Sequence, residues 1–183
     1  MEANIENELV NIKNDYIAKM KELKFQALKK KTLILIENDK CYSRNTQELP
    51  KELQNDFDIA LAIVKKDSQQ LQWHIKQWNN NKEIVLIAVN EYGANLQFAS
   101  KELQNDKEVV LTAIKTKQPM SCWVALKFAS EELRNDREVV LAVLERQLYW
   151  QVFHPTEFLG FVGAKLGKEL LMLAIEYLKK IDN

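Results

Sequence analysis

The sequence predicts an all-α protein, an α-solenoid of short helix-pair repeats with a period of about 25 residues and helical caps at both ends. Three observations carry that prediction. The stretch FASKELQNDKEVVLTAI, residues 98–114, returns thirty residues later as FASEELRNDREVVLAVL, residues 128–144, with eleven of seventeen positions identical. The apolar anchor Leu111 steps back by 25 residues to Leu86 and again to Leu61, and forward by 30 to Leu141. Within each unit apolar residues recur at three and four residues, the period of a helix. Units this short cannot bury their apolar faces alone and must stack on their neighbours.

The elements follow in order along a single helical-repeat domain, residues 1–183. In residues 1–30, Ile5, Leu9, Ile12, Tyr16, Met20, Leu23 and Ala27 are spaced by four or three, which predicts a long amphipathic helix capping the array. Its polar face mixes acids with lysines, which disfavours a membrane anchor, and a free coiled coil needs a longer unbroken heptad. The repeats occupy 31–146, beginning with a weak copy at KKTLILIEN. In one full unit Val109, Val110, Ala113 and Ile114 form a broad helical face with Leu111 beside it, and Leu96, Ala99 and Leu103 form a second helix. Gly93 between them reads as a helix terminator whose backbone can take positive φ. Residues 147–183 predict an aromatic C-terminal cap, with Tyr149, Trp150, Phe153, Phe158 and Phe161 folded over the apolar helix KELLMLAIEYLKK. A patch left exposed there would suit a partner, and a homodimer through the C-terminal helix stays open.

The repeated Asn-Asp-Lys/Arg-Glu core reads as a helix start in one of two ways. Asn55, Asn80, Asn105 and Asn135 each precede an acid by three positions, the spacing of a capping box. Alternatively Asp56, Asn81, Asp106 and Asp136 are the caps, with the following acids favoured by the helix dipole. A hard-metal site would need converging ligands and an Asp-x-Asp-x-Asp-Gly loop, and the sequence has neither.

The residues YGANLQFASKELQNDKEVVLTAI resemble a short helical repeat known only as domain of unknown function number four-one-one-six. Gly93, Leu96, Phe98, Ala99, Ser100, Leu103, Asp106, Glu108, Val109, Val110 and Leu111 match its pattern. Phe128, Ala129, Ser130, Leu133, Asp136, Glu138, Val139, Val140 and Leu141 match it again, so the resemblance covers about residues 68–146. It implies proteins of amoeba-infecting intracellular bacteria and some protists, several regarded as secreted effectors, and it implies no known activity. The third unit departs from the pattern by a five-residue insertion and the loss of the turn glycine.

Charge and motif content narrow the function. Lys plus Arg and Asp plus Glu are 26 each, so the net charge is zero and the long-range field of a non-specific nucleic-acid binder is missing. The two cysteines, Cys41 and Cys122, give no disulfide framework and fit a reducing compartment. No apolar run is long enough for a transmembrane span. Cys122 with His74 or His154 makes a poor nucleophile and base, because PMSCWVAL lacks a glycine-rich oxyanion loop. The expectation is therefore a non-catalytic protein–protein interaction module, with no cofactor and no metal. It would act in a cytoplasm, or in a host cytosol after secretion as an effector or effector regulator. Met120 and Trp123 in the insertion, with Tyr149, Trp150 and Phe153, are the candidate partner-binding residues. Packing of Trp123 inward, behind a helix opened by Pro119, is the competing expectation. An RNA-binding helical repeat is the alternative function; Lys82, Lys107 and Arg137 vary too little to read as a base code.

Overall fold

The computed structural model describes residues 2–38, 48–73, 76–116, 118, 122–149, 168 and 172. All regular structure among them is helical. They divide into two compact units, Met1–Lys66 and Asp67–Asn183.

The first unit is built on α1, Glu2–Glu37, which continues past residue 30 as one helix of 36 residues. The 3-10 turn Lys51–Leu53 and α2, Phe57–Lys66, complete it. Asp56 starts α2 by accepting the amides of Asp58 at 3.0 Å and Ile59 at 3.2 Å. The two helices pack together, burying Thr32 and Ile36 of α1 with Leu53, Ile59, Ile63 and Val64. At its other end α1 shows its apolar stripe to solvent: Leu9 is 61% exposed, Ile12 64%, Tyr16 65% and Leu23 58%.

The second unit runs through α3 (Gln70–Trp73), a 3-10 turn (Lys76–Trp78), α4 (Lys82–Glu91), a 3-10 helix (Gly93–Phe98), α5 (Lys101–Gln104) and α6 (Lys107–Ile114). Then come α7 (Cys122–Phe128), α8 (Glu131–Arg134) and α9 (Arg137–Tyr149). Helix α6 lies between α4 and α9, and α7 packs against α6, α9 and the 3-10 helix. The buried faces repeat: Ile84, Val85, Ala88 and Val89; Val109, Val110, Ala113 and Ile114; Val139, Val140, Val143 and Leu144. Leu96, Ala125 and Leu126 fill the space beneath them. Fully burying a side chain of this kind contributes about 1.5–3 kcal/mol, so these faces hold the unit together.

Two expectations change. The second helix of each pair is interrupted, because Ser100 and Ser130 accept the amides of Leu103 and Leu133 and start a new short helix there. Gly93 is required by close approach and not by a positive φ. A Cβ at Gly93 would sit 2.1 Å from the Ala113 carbonyl oxygen of α6, so the glycine lets the turn after α4 touch α6.

Candidate functional site

The repeated acidic core forms one local structure. Asp106 Oδ1 accepts the amides of Glu108 at 3.0 Å and Val109 at 3.2 Å. Asp136 does the same for Glu138 at 3.0 Å and Val139 at 3.1 Å, and Asn81 accepts the Ile84 amide. The residues at 56, 81, 106 and 136 are thus the caps. The capping-box alternative fails at Asn80 and Asn105, whose side-chain oxygens instead accept the hydroxyls of Ser100 and Ser130 from the next repeat.

The second oxygen of each aspartate does something the sequence reading missed. Lys82, the first residue of α4, reaches Asp106 Oδ2 at 2.7 Å and Glu108 at 2.7 Å, both at the start of α6. Lys107, the first residue of α6, reaches Asp136 at 2.9 Å and Glu138 at 2.7 Å at the start of α9. Hydrogen bonds to the two acids raise each lysine above its ordinary value. Burial works to raise Asp106, but Lys82 and the amides of Val109 and Glu108 outweigh it and hold the carboxyl below its usual range. Lys107 is the largest influence on Asp136 and lowers it as well. The signal was legible in principle at Asp106-Lys107-Glu108, one amine and two carboxylates at a single helix start, although Asn81, Phe57 and Arg137 vary it at the other starts.

Backbone and buried amides add further links. Ser100 and Ser130 donate their amides to the carbonyls of Asn79 and Gln104. Buried Asn95 donates to Ala88 at 2.9 Å and Ser68 at 3.2 Å. Thr116 donates to the Asn90 carbonyl, and its own carbonyl accepts from Arg146 of α9. These bonds link separate helices, caps and turns.

Besides a cavity of about 310 Å³ lined by Gln104, Phe128, Ser130 and Arg134, the second unit has an open groove of about 470 Å³ between α6 and α9. Leu111, Leu141 and Ala142 make its floor, and Lys115, Arg137 and Glu145 stand at its rim. The leucines are half-buried, with Lys115 and Glu145 exposed. Within the first unit a cavity of about 350 Å³ uses the equivalent residues of α2, Leu61, Ala62 and Lys65, beside Ile36 and Glu37 of α1. Leu61, Leu111 and Leu141 are the anchors of the sequence period, set beside the buried face, and that offset is what leaves them at the surface.

Among the expected binding residues, Trp123 lies on α7, half-buried, with its indole nitrogen buried. Tyr149 ends α9; Met120, Trp150 and Phe153 lie outside the described residues, as do His74 and His154. Cys122 is 1% exposed, and burial pushes its thiol up, away from the thiolate a nucleophile needs. No group of three or more His, Cys, Asp or Glu among the described residues is placed to hold a metal ion. No helix among them is long and apolar enough to cross a membrane.

The described residues thus form an all-helical structure on an internal sequence repeat, with helix starts capped by aspartate or asparagine and tied to one another by lysine. Residues 81–123 and 120–150 match the model of a family described as a domain of unknown function (DUF4116). The match covers less than half of the chain and includes α4 to α9. No curated protein and no solved structure matches the sequence.

Proposed function

We propose that this chain is a non-catalytic protein–protein interaction module, built as an α-solenoid with a unit of about 25 residues. The observation that carries the reading is the groove between α6 and α9, with its leucine floor and rim of both charge signs. Such a groove suits one face of an amphipathic helix, apolar anchors down and charges to the rim. Hydrogen bonds and ion pairs that recur between residues 24, 25 and 29 apart support the repeated unit. The resemblance to DUF4116 favours a secreted effector, or an effector's regulator, of an intracellular bacterium.

The RNA alternative loses support from the same geometry. A phosphate-tracking surface needs lysines free to release counterions, yet Lys82 and Lys107 each hold two carboxylates. The test is capture from a host-type lysate with the whole chain, before and after ribonuclease, across a salt series. Retention of a defined protein that survives ribonuclease supports the proposal. Retention that disappears with ribonuclease and falls steeply with salt would replace it with RNA binding.

A further inference from the structure

Apart from the groove, α1 carries an exposed apolar stripe among the described residues. Leu9, Ile12, Tyr16, Met20 and Leu23 lie along it, exposed by 61%, 64%, 65%, 37% and 58%. Val10 and Ile17, 51% and 40% exposed, widen one edge. A monomer rarely leaves so continuous an apolar face to water. Two features of α1 point to what covers it.

The first is spacing. Leu9 to Met20 and Ile12 to Leu23 are both steps of eleven residues. Eleven residues in three turns is 3.67 per turn, close to the 3.6 of a straight helix, so the stripe stays on one side with little supercoiling. The missing heptad therefore does not argue against helix pairing. The spacing is also symmetric about Tyr16: Ile12 and Met20 lie four residues away, Leu9 and Leu23 seven, Ile5 and Ala27 eleven.

The second is charge. Residues 2–12 contain Glu2, Glu6 and Glu8 and no lysine, whereas residues 19–31 contain Lys19, Lys21, Lys24, Lys30 and Lys31 against Glu22, besides Lys29. Lys29 is engaged by Asp56 and Asp58. The helix dipole favours such segregation within the first and last turns, but Glu8, Lys19 and Lys24 stand well inside. A parallel copy would set lysines beside lysines. An antiparallel copy sets the acidic end of one helix beside the basic end of the other.

We infer that α1 is the interface of an antiparallel homodimer whose two-fold axis passes by Tyr16. Leu9 of one chain meets Leu23 of the second copy, Ile12 meets Met20, and Tyr16 meets Tyr16. Asp15 then lies beside Lys19 of the second copy. This is a self-complementary contact of the kind two-fold symmetry requires. The stripe from residue 5 to 27 runs about 33 Å at 1.5 Å per residue. Pairing over that length removes on the order of 1,000 Å² from water, near the lower edge of specific interfaces. The inference stands independently of the groove.

The test uses the full chain with Cys41 replaced by serine; Cys122 is buried and does not compete for reagent. Single cysteines are placed at Tyr16, Leu9 or Leu23 and treated with a short bis-maleimide. The expected result is a covalent dimer from Tyr16→Cys alone, and from a mixture of Leu9→Cys with Leu23→Cys, but not from Leu9→Cys alone. Sedimentation velocity of the unlabelled protein gives the dimer mass, and Ile12→Asp, still helical by circular dichroism, gives the monomer. Linking by Leu9→Cys alone would mean a parallel pair and overturn the inference. So would monomer mass throughout a rising concentration series, or a dimer that survives Ile12→Asp. A monomer that instead sediments with phosphatidylserine vesicles would assign the stripe to a membrane surface.

Discussion

The units Met1–Lys66 and Asp67–Asn183 each tie a lysine of one helix to the acidic start of another, with the same bridge made from different parts. In the second unit Lys82 and Lys107, each the first residue of a short helix, span an N-cap aspartate and the glutamate two residues on. In the first unit Lys29, deep inside a 36-residue helix, spans Asp56 at 2.8 Å and Asp58 at 2.6 Å. The bridge is therefore a property of the cap: an aspartate that spends one oxygen on its helix offers the other to an amine within reach. The two other repeat positions depart from it, for Phe57 stands where Lys82 and Lys107 stand, and Asn81 where Asp106 and Asp136 stand.

The largest expected effect separates the units. Gly93→Ala drives a methyl into the Ala113 carbonyl and destabilises the second unit by about 3 kcal/mol, as overpacking does. Hydrogen exchange should show faster opening of α4 and α6 with the α2 amides unchanged. Equal acceleration in α2 would break the distinction between the units. Next is Asp136→Ala, which removes a cap worth about 1 kcal/mol. Asp136→Asn keeps an acceptor for the Glu138 and Val139 amides and loses the charge, so urea denaturation should show a smaller loss.

The pH response follows from the same groups. Asp106 and Asp136 have lowered values, so their contribution is present above the unfolded carboxylate value near 3.8 and disappears as pH falls through the folded values beneath it. Lys29, Lys82 and Lys107 have raised values. Their contribution is intact below the unfolded value near 10.5 and is lost as pH rises through the folded values above it. The urea midpoint should therefore be level through neutral pH and fall at both extremes. The smallest effect is expected from Lys107→Met and Lys82→Met, because exposed ion pairs are weak and salt-screened. Lys29→Met should cost more than either, since the Lys29 side chain is 17% exposed against 43% and 40% for Lys82 and Lys107. Thermal unfolding of the three variants at low salt ranks them.

Much of this architecture was legible in the residues. The buried faces of α4, α6 and α9 follow the apolar period, since burial is what the period encodes. The choice between Asn and Asp as cap was not, because both residue types cap helices and the deciding hydroxyls, Ser100 and Ser130, come from the following repeat. Gly93 has a sequence signature for turns in general, and the carbonyl that requires it lies twenty residues away on α6. The groove was half visible: the anchor leucines mark the period, but that they form a surface floor depends on how neighbouring helices set their faces. The expected anchors Met120, drawn from the five-residue insertion, and Trp150 and Phe153, drawn from aromatic content, lie outside the described residues.

The proposed division of labour gives the Asn-Asp-Lys/Arg-Glu core the starting and tying of helices, and the groove between α6 and α9 the recognition of a partner. It is tested most directly by capturing a partner with four proteins in parallel: the native chain, Asp136→Asn, Lys115→Glu and Leu141→Glu, each checked for helicity by circular dichroism. A protein retained by the native chain should be retained by Asp136→Asn and lost by both groove variants. A partner that Asp136→Asn loses while folded, and that Lys115→Glu and Leu141→Glu keep, would make the motif itself the binding surface.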